Sequence, residues 1–298
     1  MNIYSEIQSN KLKSYFIIFL FIGIISVIFY VAGLYFGDAK SFFIFGLIFS
    51  LFSGVGSYFY SDKVVLGLSG ARLALKKEFF DYYTVTENLA IASGLPMPKL
   101  YVIDDDAPNA FATGRNPKHA VVVATTGLLS RLQRAEIEGV IAHELSHVQN
   151  YDILVMTIVT VLVGTIAYAV NFMTHSMWLG SRDRNSENRL GPLGAVLFVI
   201  SLILLPIVAS LIQLAVSRKR EFLADASGAL LTRNPDELAS ALEKIASYDR
   251  PMRHASNATA HMFISNPLKT GMGKSNWLTN LFSTHPPIQE RIRILRAM

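Results

Sequence analysis

His143-Glu144-Leu145-Ser146-His147 is the stretch on which the reading of this chain turns. Two histidines four residues apart share one face of a helix, so both imidazoles can reach a single metal ion. Glu144 stands beside the first of them, where its carboxylate can face a water held at that metal. The pattern is that of a zinc-binding helix, with the histidines as ligands and the glutamate as general base. The plainer alternative is a surface helix with charged residues at i and i+4. A third ligand would separate the two.

The chain offers that ligand only at a distance. The extended motif that adds a third histidine fails, because Asn150 stands in place of its glycine and Ile153 in place of its histidine. From Ile153 to about Met177 runs an uncharged stretch with no carboxylate in it. A polar loop with Arg182, Asp183, Arg184, Glu187 and Arg189 follows, then a second uncharged stretch from Leu190 to Ser217. Each is long enough to cross a bilayer, and Pro206 is tolerable there as a kink. If both cross, Glu187 lies on the far side, and the next acid on the near side is Glu221. Asp225 follows it at i+4, on the same helical face. A ligand with a carboxylate one turn away suits a metal site, since a ligating imidazole donates its other N–H to an acceptor. The competing reading of this pair is helix-surface charge beside Arg218 and Lys219.

Upstream, no charged residue occurs between Lys13 and Asp38, and Ser41 to Ser61 is uncharged as well. These read as an uncleaved transmembrane hairpin, with Gly46, Gly54 and Gly56 allowing close helix approach. The 298-residue chain is 51% hydrophobic with a net charge of +5, more apolar than an ordinary water-soluble enzyme. No interleaved aromatic and basic pattern points to nucleic acid. The absence of cysteine excludes disulfides, thiolate metal sites and a cysteine nucleophile. Any metal here is held by imidazole and carboxylate.

The expected organisation is a membrane hairpin at 1–61, a first catalytic segment at 62–152, a second hairpin at 153–217 and a second catalytic segment at 218–298. Helices are expected at Leu75–Ala92, Ser130–Tyr151, Arg218–Leu231, Asp236–Tyr248 (capped by Asn234) and Pro287–Ala297. Strands are expected from Lys99 to Asp104 and Ala120 to Ala124, with a short edge strand at Asn109–Gly114. The class is therefore α+β, mainly helical with a small mixed sheet, joined to about four transmembrane helices. An even number of spans leaves both soluble parts on one side. Lys11, Lys13, Lys63, Arg72, Lys76, Lys77 and Arg218 to Arg220 flank that side and mark it as cytoplasmic, although the arginines of the loop after the third span run against the rule. Of the other histidines, His119 reads as surface, His175 as interfacial, and His254 and His261 as part of an irregular region. His285, in Ser283-Thr-His-Pro-Pro287, sits on a stiff proline turn able to hold its side chain towards a site.

Two spans, NAFATG, HELSH, two more spans, EFLAD and STHPP, in that order, closely resemble the HtpX family of membrane-integrated zinc endopeptidases, relatives of the CAAX prenyl proteases. The resemblance covers essentially the whole chain. It implies a gluzincin-type cytoplasmic domain in a bacterial plasma membrane, both termini cytoplasmic, acting on unfolded or damaged membrane proteins under stress. By position it makes His143, His147 and Glu221 the ligands of one zinc ion, Glu144 the catalytic base, and Asp225 the carboxylate that orients a ligand histidine. Asn109, Ala110, Phe111 and Ala112 resemble the edge strand that pairs with substrate backbone, and His285 a residue that steadies the tetrahedral intermediate. Two other readings stay open. One is a CAAX-type protease acting on prenylated tails, which four spans are too few to enclose in a large chamber. The other is a non-catalytic membrane adaptor with a structural metal, which would need a fourth ligand that the sequence does not offer.

Overall fold

A computed structural model describes residues 3–180, 218–253, 255–256, 258–268 and 286–298. Helices α1 (Ile3–Phe36) and α2 (Ala39–Ser69) form the expected hairpin. Gly37 turns the chain at φ +83°, and the Asp38 carboxylate accepts the Ser41 N–H to start α2. A Cβ at Gly46 would lie 2.5 Å from Phe29 Cβ, and one at Gly54 3.0 Å from Ile18, so these glycines do set the helix contact. Gly56, expected to do the same, faces open space. Within this pair, Glu6–Val31 and Ala39–Ser69 are long and apolar enough to cross a membrane, and much of their apolar surface is outward-facing. α2 continues for two turns past Ser61, beyond the uncharged run, and ends at Gly70 in the left-handed conformation.

A four-stranded mixed sheet follows, in the order β1 (Arg72–Leu73), β2 (Lys99–Ile103), β4 (Val121–Thr125), β3 (Ala110–Thr113). β2 and β4 run parallel, while β1 and β3 pair antiparallel at the edges. The valines of β4 are buried on both faces, which is why that stretch reads as a continuous apolar run. Helix α3 (Phe80–Ser93) begins a turn and a half later than its apolar periodicity suggests, because residues 76–78 form a turn. Its Tyr82 hydroxyl reaches through the core to the Val122 carbonyl.

The helix expected from Ser130 is two helices. α4 (Thr126–Arg131) stops at Leu132, and α5 (Arg134–Gln149) restarts with Gln133 N–H bonded to the Glu136 carboxylate at 2.7 Å. α6 (Asp152–Gly180) departs from α5 at 83° across Asn150-Tyr151, where Tyr151 takes φ +61°. This sharp corner lays α5 across the end of α6. α6 packs against α1 and α2, its Leu154, Val155, Ile158, Val159 and Leu162 meeting Ile17, Phe21 and Ile25.

The last part comprises α7 (Arg218–Thr232), α8 (Pro235–Ser247) and α9 (Ile288–Leu295). Asn234 occupies the N-cap of α8 without a side-chain capping bond, and Pro235 begins the helix as expected. α7 and α8 both pack on α5, so the core closes around the HELSH helix between the sheet and these helices. The fourth apolar run, its polar loop, His254 and His285 lie outside the described residues.

Candidate active site

α5 is buried on every side from Gly139 to Val148. A surface helix cannot be so placed, which removes the plainer reading of HELSH. Two close approaches put it there. A Cβ at Gly139 would meet the Leu238 backbone of α8 at 3.0 Å, and a Cβ at Gly228 would meet the backbone nitrogen of His143 at 3.0 Å. Gly228 lies one turn beyond Asp225 and two beyond Glu221, so the face of α7 that touches α5 is the one carrying both carboxylates.

The side chains converge as that packing requires. His143 Nε2 and His147 Nε2 stand 3.2 Å apart, with the rings nearly perpendicular at 88°. Glu221 Oε1 lies 3.6 Å from His147 Nε2, and Oε2 lies 3.9 Å from His143 Nε2. On the opposite edge of each ring there is a carboxylate: Asp225 Oδ1 at 2.9 Å from His143 Nδ1, and Asp152 Oδ2 at 3.0 Å from His147 Nδ1. A carboxylate can only accept, so each Nδ1 carries a hydrogen, and Nε2 is the nitrogen left to bind a metal once it holds no proton.

This donor set fits a metal. Two nitrogens held at about 2.0–2.1 Å by one tetrahedral zinc stand about 3.3 Å apart, against the 3.2 Å seen here. The carboxylate lies a few tenths of an ångström further out. Two neutral imidazoles and one carboxylate leave a coordination position open for a reacting molecule, as catalytic zinc requires. All three residues are buried to within a few per cent of full exclusion from solvent.

Electrostatics follow from burial and these partners. Burial pushes the His143 pKa down against the pull of Asp225. At His147 burial acts in the same direction, but Asp152 and Glu221 overcome it and raise the pKa to about 9. Burial pushes the Glu144 carboxyl up to about 7. Asp225 resists burial through Arg291 and His143, which bring it down to about 2.

Arg291 had no part in the sequence reading. It is 2% exposed, forks onto both oxygens of Asp225 at 2.7 and 2.8 Å, and donates to the Ile264 carbonyl at 3.1 Å. A signal for it existed in the sequence. Ile288, Arg291, Ile292 and Leu295 share one helical face, so a charged residue there enters the core and needs a partner. Asp152 was missed as well, because a carboxylate five residues after His147 reaches its ring only through the 83° corner.

β3 is the edge strand, as expected, and it touches the site. The Ala112 N–H bonds the Glu144 carboxylate, from the side of β3 turned away from β4. On that same side the Ala110 carbonyl accepts Ile264 N–H at 2.9 Å. Asn109 Nδ2 donates to the Ser265 carbonyl at 2.8 Å, and Phe111 packs edge-on against Phe263 at 4.9 Å. The 263–265 segment thus lies along part of the edge assigned to a peptide. His261 is buried beside Thr160 and Met156 on α6, away from the three converging side chains.

The family model Peptidase family M48 matches residues 77–298. The protein named Protease HtpX homolog from Dictyoglomus turgidum is 44% identical over 295 residues, spanning 99% of this chain and 94% of its own length. The Protease HtpX homolog from Caldanaerobacter subterraneus is 46% identical over 297 residues, spanning 98% of this chain and 97% of its own. The crystal structure of S. mikatae Ste24p is similar with a TM-score of 0.49 and 18% identity, covering 98% of this chain and 67% of that one.

Proposed function

The chain belongs to peptidase family M48, and from that membership we propose that it is a membrane-bound zinc endopeptidase cutting misfolded or damaged membrane proteins. The observation that carries the reading is the convergence of His143, His147 and Glu221 beside a buried Glu144. The relatives' shared name, Protease HtpX homolog, supports the same class.

His143, His147 and Glu221 would hold the zinc, which supplies Lewis acidity to a hydrolytic water and to the scissile carbonyl. Glu144 takes the proton from the attacking water and then delivers it to the leaving amine. Its burial keeps the carboxyl from being a weak, fully solvated base, and the Ala112 N–H fixes its direction. Asp225 and Asp152 hold the two imidazoles with Nδ1 protonated and Nε2 free to ligate. Arg291 keeps Asp225 ionised and in place. A peptide lying extended along Asn109–Ala112 is held by main-chain hydrogen bonds and so with little sequence preference. To reach the Ala110 carbonyl it must replace the bond from Ile264 N–H. His285 remains the proposed aid to the tetrahedral intermediate.

In this reading the fold is gluzincin-like with four spans, the fourth lying in 190–217, and the catalytic side is the cytoplasmic one. Family membership in a peptidase group leaves the adaptor reading without support. The test is metal removal: detergent-purified protein stripped by chelator should stop cutting an unfolded protein, and one equivalent of zinc should restore cleavage. Cutting that persists after complete stripping would refute the proposal.

A further inference from the structure

Asp152 supports His147 with one carboxylate oxygen, and the other oxygen shows what supports Asp152. Oδ1 accepts Asn10 Nδ2 at 2.8 Å and Arg220 Nη1 at 3.1 Å. Asn10 belongs to α1, the first of the two membrane-length helices, and is fully buried. A buried amide near the start of an apolar helix needs partners, and Asn10 has three sets of them. Its Nδ2 donates one hydrogen to Asp152 and the other to the Asn150 carbonyl at 2.9 Å, while its Oδ1 receives Arg220 at 3.4 Å.

These contacts bracket one residue. Asn150 and Asp152 flank Tyr151, whose φ of +61° makes the corner between α5 and α6. A bulky residue in the left-handed region is strained, and such a turn persists where its surroundings fix it. Asn10 bridges the turn from both sides of Tyr151. The next residue of α1, Lys11, sets its ammonium over the Tyr151 ring at 4.5 Å. One turn on, the Ser14 hydroxyl donates to the Asn10 carbonyl at 2.8 Å, a back-bond local to α1 that the helix does not depend on.

We propose that Asn10 is a positioning residue of the metal site: α1 fixes the corner after α5, the corner fixes Asp152, and Asp152 aims the His147 ring. The N-terminal hairpin is then more than an anchor. It supplies the support for one of the two imidazole ligands, as α7 supplies Asp225 for the other. Asn suits the task and Asp does not, because the two acceptors it bridges need two N–H groups from one side chain. The proposal rests on the reading that His143, His147 and Glu221 hold a divalent metal.

The experiment uses the full-length chain in detergent, and the probes are Zn2+ and Co2+. Zinc affinity is measured by chelator competition, the visible spectrum is recorded with cobalt bound, and the metal-stripped protein is melted. Asn10→Leu should weaken zinc binding by about 10- to 100-fold, the range for lost support of a ligating imidazole, and should alter the cobalt spectrum. Ser14→Ala loses a buried hydroxyl of the same helix without touching Asp152, and should leave affinity and spectrum unchanged. Asn10→Ser, which keeps a small polar group but cannot bridge the turn, carries the same expectation as Asn10→Leu if that variant does not fold. An Asn10 variant with wild-type affinity and cobalt spectrum would overturn the proposal, and so would a Ser14→Ala loss of equal size. If the wild type itself takes up neither metal, the reading of the site has failed instead.

Discussion

At the scale of single residues, the site is decided by which buried charges have partners. Arg291 and Asp225 are each about 2% exposed and joined by two short hydrogen bonds. Removing one member of such a pair leaves the other uncompensated, at a cost of about 3–5 kcal/mol. Arg291→Met is therefore expected to lower the metal-free stability by that amount in a denaturant titration, and a loss below about 1 kcal/mol would mean that the His143 N–H alone compensates Asp225. Glu136 makes a different kind of contact at the start of α5. It accepts Ser240 at 2.6 Å and Lys244 at 2.7 Å, and Lys244 is half-exposed. Burial works to raise the Glu136 pKa, but Lys244, Ser240 and the Gln133 N–H together lower it. A carboxyl with a depressed folded pKa stabilises above its unfolded value of about 4.3 and loses that contribution as pH falls through the folded one. Glu136→Gln should cost about 1–2 kcal/mol at neutral pH, and the difference from wild type should close as pH falls below the unfolded value and through the lower folded one. A gap that stayed constant across that range would assign the loss to packing.

Elements carry the next level of the argument, and the contact between α5 and α7 is the one that assembles the ligands. It depends on Gly228, where an added Cβ would press on the His143 backbone at 3.0 Å. Gly228→Val should cost about 1–3 kcal/mol by overpacking and should also loosen zinc, because moving α7 withdraws Glu221. Zinc content after gel filtration would show it, and full retention would place the helix contact elsewhere. The same contact explains what could be read in advance. HELSH and Glu221-x-x-x-Asp225 are legible because a helix turns fixed spacings into shared faces. The edge position of β3 is legible from its short length between turns. Asp152, Asn10 and Arg220 are not, since they meet only after α5 and α6 turn by 83° at Tyr151, and nothing in the local pattern marks a tyrosine as the residue at positive φ. The break between α4 and α5 was hidden for a related reason. Its apolar periodicity continues through Leu132, and only the Gln133–Glu136 cap shows the restart.

For the whole molecule, the membrane helices and the hydrolytic domain are one packed object. α1 and α2 pair along their length, α6 packs on both, and α1 reaches the corner that follows the HELSH helix. The chain has no cysteine, so single introduced cysteines report topology cleanly. Lys40, in the first turn of α2 beside the loop from α1, and Lys118, on the surface of the sheet domain, are both exposed. Lys40→Cys and Lys118→Cys should react with an impermeant maleimide from opposite faces of a sealed vesicle. Labelling of both from one face would mean that the first hairpin does not cross.

The cleavage rate of zinc-loaded Glu144→Gln towards an unfolded protein tests the hydrolytic role of the HELSH helix most directly. The substitution keeps the shape of the side chain and its contact with Ala112, and leaves His143, His147 and Glu221 untouched. Zinc content should stay at one per chain, while cleavage should fall by at least the ~10²–10⁴-fold expected from losing a general base. A zinc-loaded variant that cuts at the wild-type rate would contradict the assignment of Glu144, and with it the mechanism proposed for this site.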